Sequence, residues 1–166
     1  MKRILLVGAS TLLLLSACNK GPEIESPIEK VQEIEVPMPV GEIRHPTAGL
    51  EQWFAIGPVN GVEGSPANGV AQSHYFEEGL YLHTVQANVA PAPDGSFYEG
   101  WISDGSNIVS TGHLTNPMGD SRHSLQFEQN QDYRAYTQVL ITVEADDGDP
   151  APGKKVAEAI LKVTPR

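Results

Sequence analysis

The sequence predicts an all-β protein, an antiparallel sandwich that follows a disordered tether. Three observations predict it. From Glu51 onward, short segments of alternating apolar and polar residues are separated by clusters of Gly, Pro, Asn and Asp. Gly 16 and Pro 13 supply enough turn residues to break the chain that often. Nothing in that region offers the long crossover helices that a parallel sheet requires. The pattern leaves open a two-sheet sandwich or a small open barrel.

The N-terminus has a different character. Met1, Lys2 and Arg3 precede an almost wholly apolar run, Ile4 to Leu15, and Leu15-Ser16-Ala17-Cys18 closes it. Positive residues, a short apolar stretch and small residues before a break are expected of a secretory signal peptide, residues 1–17. The last four residues also look like a lipobox, with cleavage before Cys18 and acylation of that cysteine, the one lipidation site expected. No other apolar run approaches the ~20 residues of a membrane helix.

Residues 18–49 are expected to be a lipidated cysteine and its tether. Glu23-Ile24-Glu25-Ser26-Pro27 is echoed by Glu33-Ile34-Glu35-Val36-Pro37, and Pro39 and Pro46 follow. Proline fixes φ and pushes the preceding residue to extended geometry, so helix is disfavoured. Such a chain is a spacer that holds a domain off a membrane.

The domain is expected over residues 50–166. Glu51–Pro58, with Trp53, Phe54 and Ile56, reads as a strand or a docked extended segment. Gly69–Phe76 is a strand, turned by Glu77-Glu78-Gly79. Leu80–Val89 places Tyr81, His83, Val85, Ala87 and Val89 on one face. Pro91-Ala92-Pro93-Asp94-Gly95 stops it, and Phe97–Ser103 follows with Tyr98 and Trp101. Asp104-Gly105-Ser106-Asn107 is a hairpin-type turn into Ile108–Leu114. Asn116 to Asp120 turns again into His123–Phe127. Tyr136–Glu144 puts Val139, Ile141 and Val143 on one face, and Ala145–Gly153 is a polar loop. Val156–Val163 fits a helix through Val156, Ala159, Ile160 and Val163, or a strand through Ala157, Ala159, Leu161 and Val163. The neighbouring strands favour the second.

Charge narrows the partners. The net charge of −10 falls to about −12 once Lys2 and Arg3 leave with the signal. Phosphate binding needs clustered Lys and Arg, so no nucleic acid is expected as a partner. Anionic lipid offers no attraction either, so membrane association rests on acyl chains at Cys18. Cys18 is the only cysteine, which rules out an intramolecular disulfide and a multi-thiolate metal site.

The order of several pieces resembles the C-terminal extracytoplasmic domain of anti-sigma-K factors. They are Pro91-Ala92-Pro93-Asp94-Gly95, Tyr98-Glu99-Gly100-Trp101-Ile102, Thr111-Gly112-His113-Leu114, the strand Tyr136–Glu144, and Pro150-Ala151-Pro152-Gly153. The resemblance implies an immunoglobulin-like sandwich with the Trp in a central strand and the Val-Thr-Glu strand beside it. It also implies a regulatory rather than enzymatic role. Complete anti-sigma factors add a cytoplasmic domain and a membrane helix; here a cleavable signal takes their place. The resemblance therefore implies fold and compartment, not direct capture of a sigma factor.

Candidate chemistry is sparse. His83 and His113, with Met118 near in sequence, could hold copper, though no paired His-x-His spacing supports it. Glu144, Asp146, Asp147 and Asp149 could offer oxygen ligands to calcium, but not at EF-hand spacing. These six ionisable residues are the weak metal candidates; no cofactor is expected. Ser121-Arg122-His123-Ser124 lacks an orienting acid and an oxyanion hole, and neither a Gly-x-Ser-x-Gly elbow nor a phosphate loop occurs, so no catalytic residue is assigned. Tyr98 and Trp101 could stack on a sugar or peptide, but a central sandwich Trp is more often core. The expectation is a non-enzymatic binding or regulatory lipoprotein of the cell envelope. It would face the periplasm, on the outer membrane of a two-membrane cell, or the outer surface. Its partners would be the bilayer and an envelope protein or ligand. The alternative is a structural or assembly lipoprotein.

Overall fold

The computed structural model describes residues 41–165. Cys18, the signal segment and the tether up to residue 40 lie outside the described residues. Every regular element described is a strand: β1 Arg44–His45, β2 Gly49–Gly61, β3 Asn68–Phe76, β4 Tyr81–Asn88, β5 Ser96–Ser103, β6 Ile108–His113, β7 Arg122–Gln129, β8 Gln138–Ala145, β9 Lys154–Ile160 and β10 Lys162–Val163. None of the described residues forms a helix long and apolar enough to cross a membrane.

All pairings are antiparallel and belong to one sheet, ordered β6-β5-β8-β9-β2-β3-β4-β7, with β1 and β10 paired to β2. The two edge strands approach each other. One bridge joins them: Thr115 N–H donates to Ser124 O at 2.8 Å and Ser124 N–H to Thr115 O at 2.9 Å. The sheet thus nearly closes into a barrel. Closure removes most of the open edge that would otherwise invite aggregation.

The alternation expected along β4 is realised: Tyr81, His83, Val85, Ala87 and Val89 are all buried. They meet Ala55 and Val59 of β2, Tyr98 and Ile102 of β5, and Val139 and Ile141 of β8 in one core. Val143 is half-buried against the same core. The strand reading of the last segment holds, because Ala157, Ala159 and Leu161 are buried while Ile160 is 56% exposed. Val163, counted on that face, is instead 58% exposed in β10.

Three features depart from the pattern. β2 begins at Gly49, and β1 precedes it. Glu51 N–H donates to Ile43 O, Glu78 N–H donates to Ala48 O, the His45 ring packs 5.3 Å from Phe76, and Ala48 is buried. The folded part therefore includes the last residues of the segment expected to be tether. Second, β2 carries Pro58 within it. β2 pairs with β9 at Asn60–Gly61 and with β10 at Ala55–Ile56, and the interruption falls opposite Pro58, which has no N–H to contribute. Gly57 makes the crossing tight: a Cβ there would clash with the Ile160 carbonyl. Third, Tyr133, from the segment between β7 and β8, closes one end of the core edge-on to Tyr81 and Tyr136 at 5.4 and 5.1 Å.

Candidate functional site

Strand register sorts the loops into two groups. Asn60 pairs with Asn68, Asn68 with Asn88, and Asn88 with Arg122, while Val143 pairs with Lys154 and Ser96 with Ala145. Loops 62–67, 89–95, 114–121 and 145–153 consequently share one end of the barrel. The turn between β1 and β2 lies at the opposite end, where β1 pairs antiparallel with the start of β2.

At the far end, the outer face of β5, β6 and β8 holds a groove of about 340 Å³. Its floor and walls come from Phe97, Glu99, Trp101, Ser110 and His113, and the loop residues Asp146 and Asp149 close one side. Strand geometry explains the grouping. Phe97, Glu99 and Trp101 alternate onto one face of β5, while Tyr98 and Ile102 take the other and enter the core. In register, Trp101 lies beside Ser110 and Leu140, and Glu99 beside His113 and Thr142. The Phe97 and His113 rings stack with centroids 3.9 Å apart, and Ser110 Oγ donates to the Glu99 carboxylate.

A buried relay holds the loop over this face. Trp101 Nε1–H donates to Thr142 Oγ1 at 2.8 Å, and Thr142 Oγ1–H donates to the Glu144 carboxylate. That carboxylate accepts the Gly153 backbone N–H at 2.8 and 3.0 Å. Trp101, Thr142 and Glu144 are all buried, although they sit on the outer face. Only glycine allows the closure: a Cβ on Gly153 would lie 2.5 Å from Glu144 Oε2. A carboxylate that accepts a backbone N–H and a hydroxyl is well satisfied in a buried place.

Trp101 is thus buried as expected, but outside the core. Tyr98 and Trp101 cannot form one stacking surface, because they point to opposite faces. The sequence signal that could have found the groove is the alternation Phe97-x-Glu99-x-Trp101, a mixed aromatic and acidic face.

The other candidates are scattered. His83 is sealed in the core: Tyr81 O–H donates to Ser73 Oγ at 2.9 Å, Ser73 Oγ lies 2.8 Å from His83 Nδ1, and Nε2 has no hydrogen-bond partner among the described residues. Burial pushes His83 down to about 4 and Tyr81 up to about 12. His113 is exposed on the opposite side of the sheet surface, and β4 and β6 are not neighbours, so His83 and His113 are not brought together. Met118 is 70% exposed on the 114–121 loop. Glu144 is engaged by Gly153, whereas Asp146, Asp147 and Asp149 are exposed. Among the described residues, no group of three or more His, Cys, Asp or Glu is placed to hold a metal ion. His123 Nδ1–H donates to the Ser121 carbonyl and its Nε2 meets Asn116 Nδ2, so it faces no serine hydroxyl.

No curated protein and no solved structure matches the chain. A family model does, over residues 36–156: the one described as anti-sigma-K factor rskA, C-terminal. It spans β1 to β8 and the start of β9, and takes in the groove, the relay and the loop that Glu144 holds. The chain belongs to the anti-sigma-K factor C-terminal domain family.

Proposed function

We propose that the protein is a lipid-anchored, extracytoplasmic binding module with a regulatory role related to anti-sigma factor signalling, and that it is not an enzyme. The observation that carries the proposal is the family match over residues 36–156, which coincides with most of the folded domain. The immunoglobulin-like sandwich implied by the resemblance belongs to this reading, while the described strands form one sheet that nearly closes. Anchoring would come from acyl chains on Cys18, each contributing about 0.8 kcal/mol per buried CH₂. The support for that anchor is the lipobox-like Leu15-Ser16-Ala17-Cys18. The runner-up is a structural or assembly lipoprotein with a stoichiometric envelope partner.

Two experiments test this. Cys18→Ser should abolish lipid incorporation and release the protein from membranes; an unchanged membrane fraction and unchanged labelling would refute the anchor. Deleting the gene should change envelope-stress transcription, and an unaltered profile would remove the regulatory role. A stable one-to-one partner in pull-downs from solubilised membranes would favour assembly.

A further inference from the structure

The groove combines stacked rings with carboxylates that no cation among the described residues neutralises. The ion pairs among the described residues join Glu51 to His74, Asp120 to Arg122, Asp132 to Arg134, Glu63 to Lys154 and Glu158 to Lys155. None involves Glu99, Asp146 or Asp149. The same molecule shows what completes such a cluster. At the near end, the Arg134 guanidinium lies 4.4 Å over the Tyr75 ring while Asp132 accepts its Nε–H at 2.9 Å and its Nη2–H at 2.6 Å. Ring, carboxylate and guanidinium form one unit there. At the far end, Phe97 and His113 supply the rings and Asp146 and Asp149 the carboxylates around a space of about 340 Å³.

We propose that this groove receives an arginine side chain from an extended, cationic segment of a protein partner. A planar guanidinium can stack on the Phe97–His113 pair and direct its fork of N–H donors to a carboxylate, which an ammonium cannot do in the same geometry. The net charge of −10 adds long-range attraction for a basic partner. The relay from Trp101 through Thr142 and Glu144 to Gly153 keeps the acidic loop beside the rings before the ligand arrives. Preorganisation of that kind lowers the cost of binding. The proposal rests on the binding-module reading and names its partner class.

The test is fluorescence anisotropy with the full chain in detergent micelles. The probe is a neutral-dye-labelled pentapeptide with arginines at alternating positions, separated by glycine. Saturable binding that weakens with added salt is expected, with a loss of about tenfold or more in the Asp146→Asn/Asp149→Asn variant. Asp132→Asn, at the other end, should leave it unchanged. Absence of saturation, equal affinity in the double variant, or equal binding of the glutamine version of the peptide would overturn the proposal. So would saturation of the groove by calcium alone, read as loop amide shifts without any peptide binding. Peptide binding without a change in envelope-stress transcription on deletion would keep the groove and remove the regulatory role. The reverse pattern would remove the groove and keep that role.

Discussion

Two buried hydrogen-bonded relays lie on opposite faces of the same sheet. On the inside, Tyr81, Ser73 and His83 form a closed set whose last atom, His83 Nε2, meets no hydrogen-bond partner among the described residues. On the outside, Trp101, Thr142 and Glu144 lead to the Gly153 amide and so to the 145–153 loop. The inner relay is sealed among core side chains and can affect only the stability of the whole. The outer relay ends on a loop beside an open groove and can affect local geometry. Burial alone does not distinguish them; where the last hydrogen bond goes does.

The largest expected effect breaks the outer relay at its root. Trp101→Ala removes a buried ring and leaves Thr142 Oγ1 without its donor, and should cost about 3–5 kcal/mol in urea unfolding. A cost under about 1 kcal/mol would mean the indole is not packed.

The inner relay is probed by pH. An unfolded histidine takes a proton near its ordinary value, whereas folded His83 does so only near about 4. The unfolded state therefore binds the extra proton first as pH falls. Stability should be unaffected by this group above about pH 6.5, decline between there and about pH 4, and lose roughly 3 kcal/mol in all. Unfolding titrations of wild type and His83→Gln at several pH values check this. The variant should show a shallower decline across that window; parallel curves would show that His83 is not held neutral.

Smaller effects sharpen the boundary of the domain. A chain begun at residue 41 should keep its melting temperature, whereas one begun at residue 50 loses β1 and Ala48. The second should melt lower by several degrees, on the order of 1–2 kcal/mol. The smallest effect is expected from Asp132→Asn, an exposed pair with Arg134, at no more than about 1 kcal/mol.

The strands were legible wherever one face enters the core, because alternation of two is then enforced by burial. β4 and β8 are examples, and the order of turns carried the family. β1 was not legible, since two residues carry no period and proline-spaced sequence surrounds them. Tyr133 was not legible as a core plug because its partners Tyr81 and Tyr136 meet it only after the barrel curls. The groove was half legible. Asp146, Asp149, His113 and Trp101 were each marked in the sequence, but as separate proposals for calcium, copper and core. What unites them is the register of β5 against β6 and β8, which places Phe97, Glu99 and His113 together. Burial of Thr142 and Glu144 on an outward face depends on a loop folding back, and no local pattern encodes that.

Hydrogen–deuterium exchange on the Glu144→Gln variant tests the contrast between the two relays most directly. The substitution keeps the size of the side chain but weakens the charge-assisted bond from Gly153 N–H. Faster exchange is expected in residues 145–153 alone, with β4 and the core positions of β8 as protected as in wild type. Exchange that rose evenly across β4, β8 and the loop, or that did not rise in the loop at all, would contradict the distinction between a relay that ends inside the core and one whose last bond holds a loop.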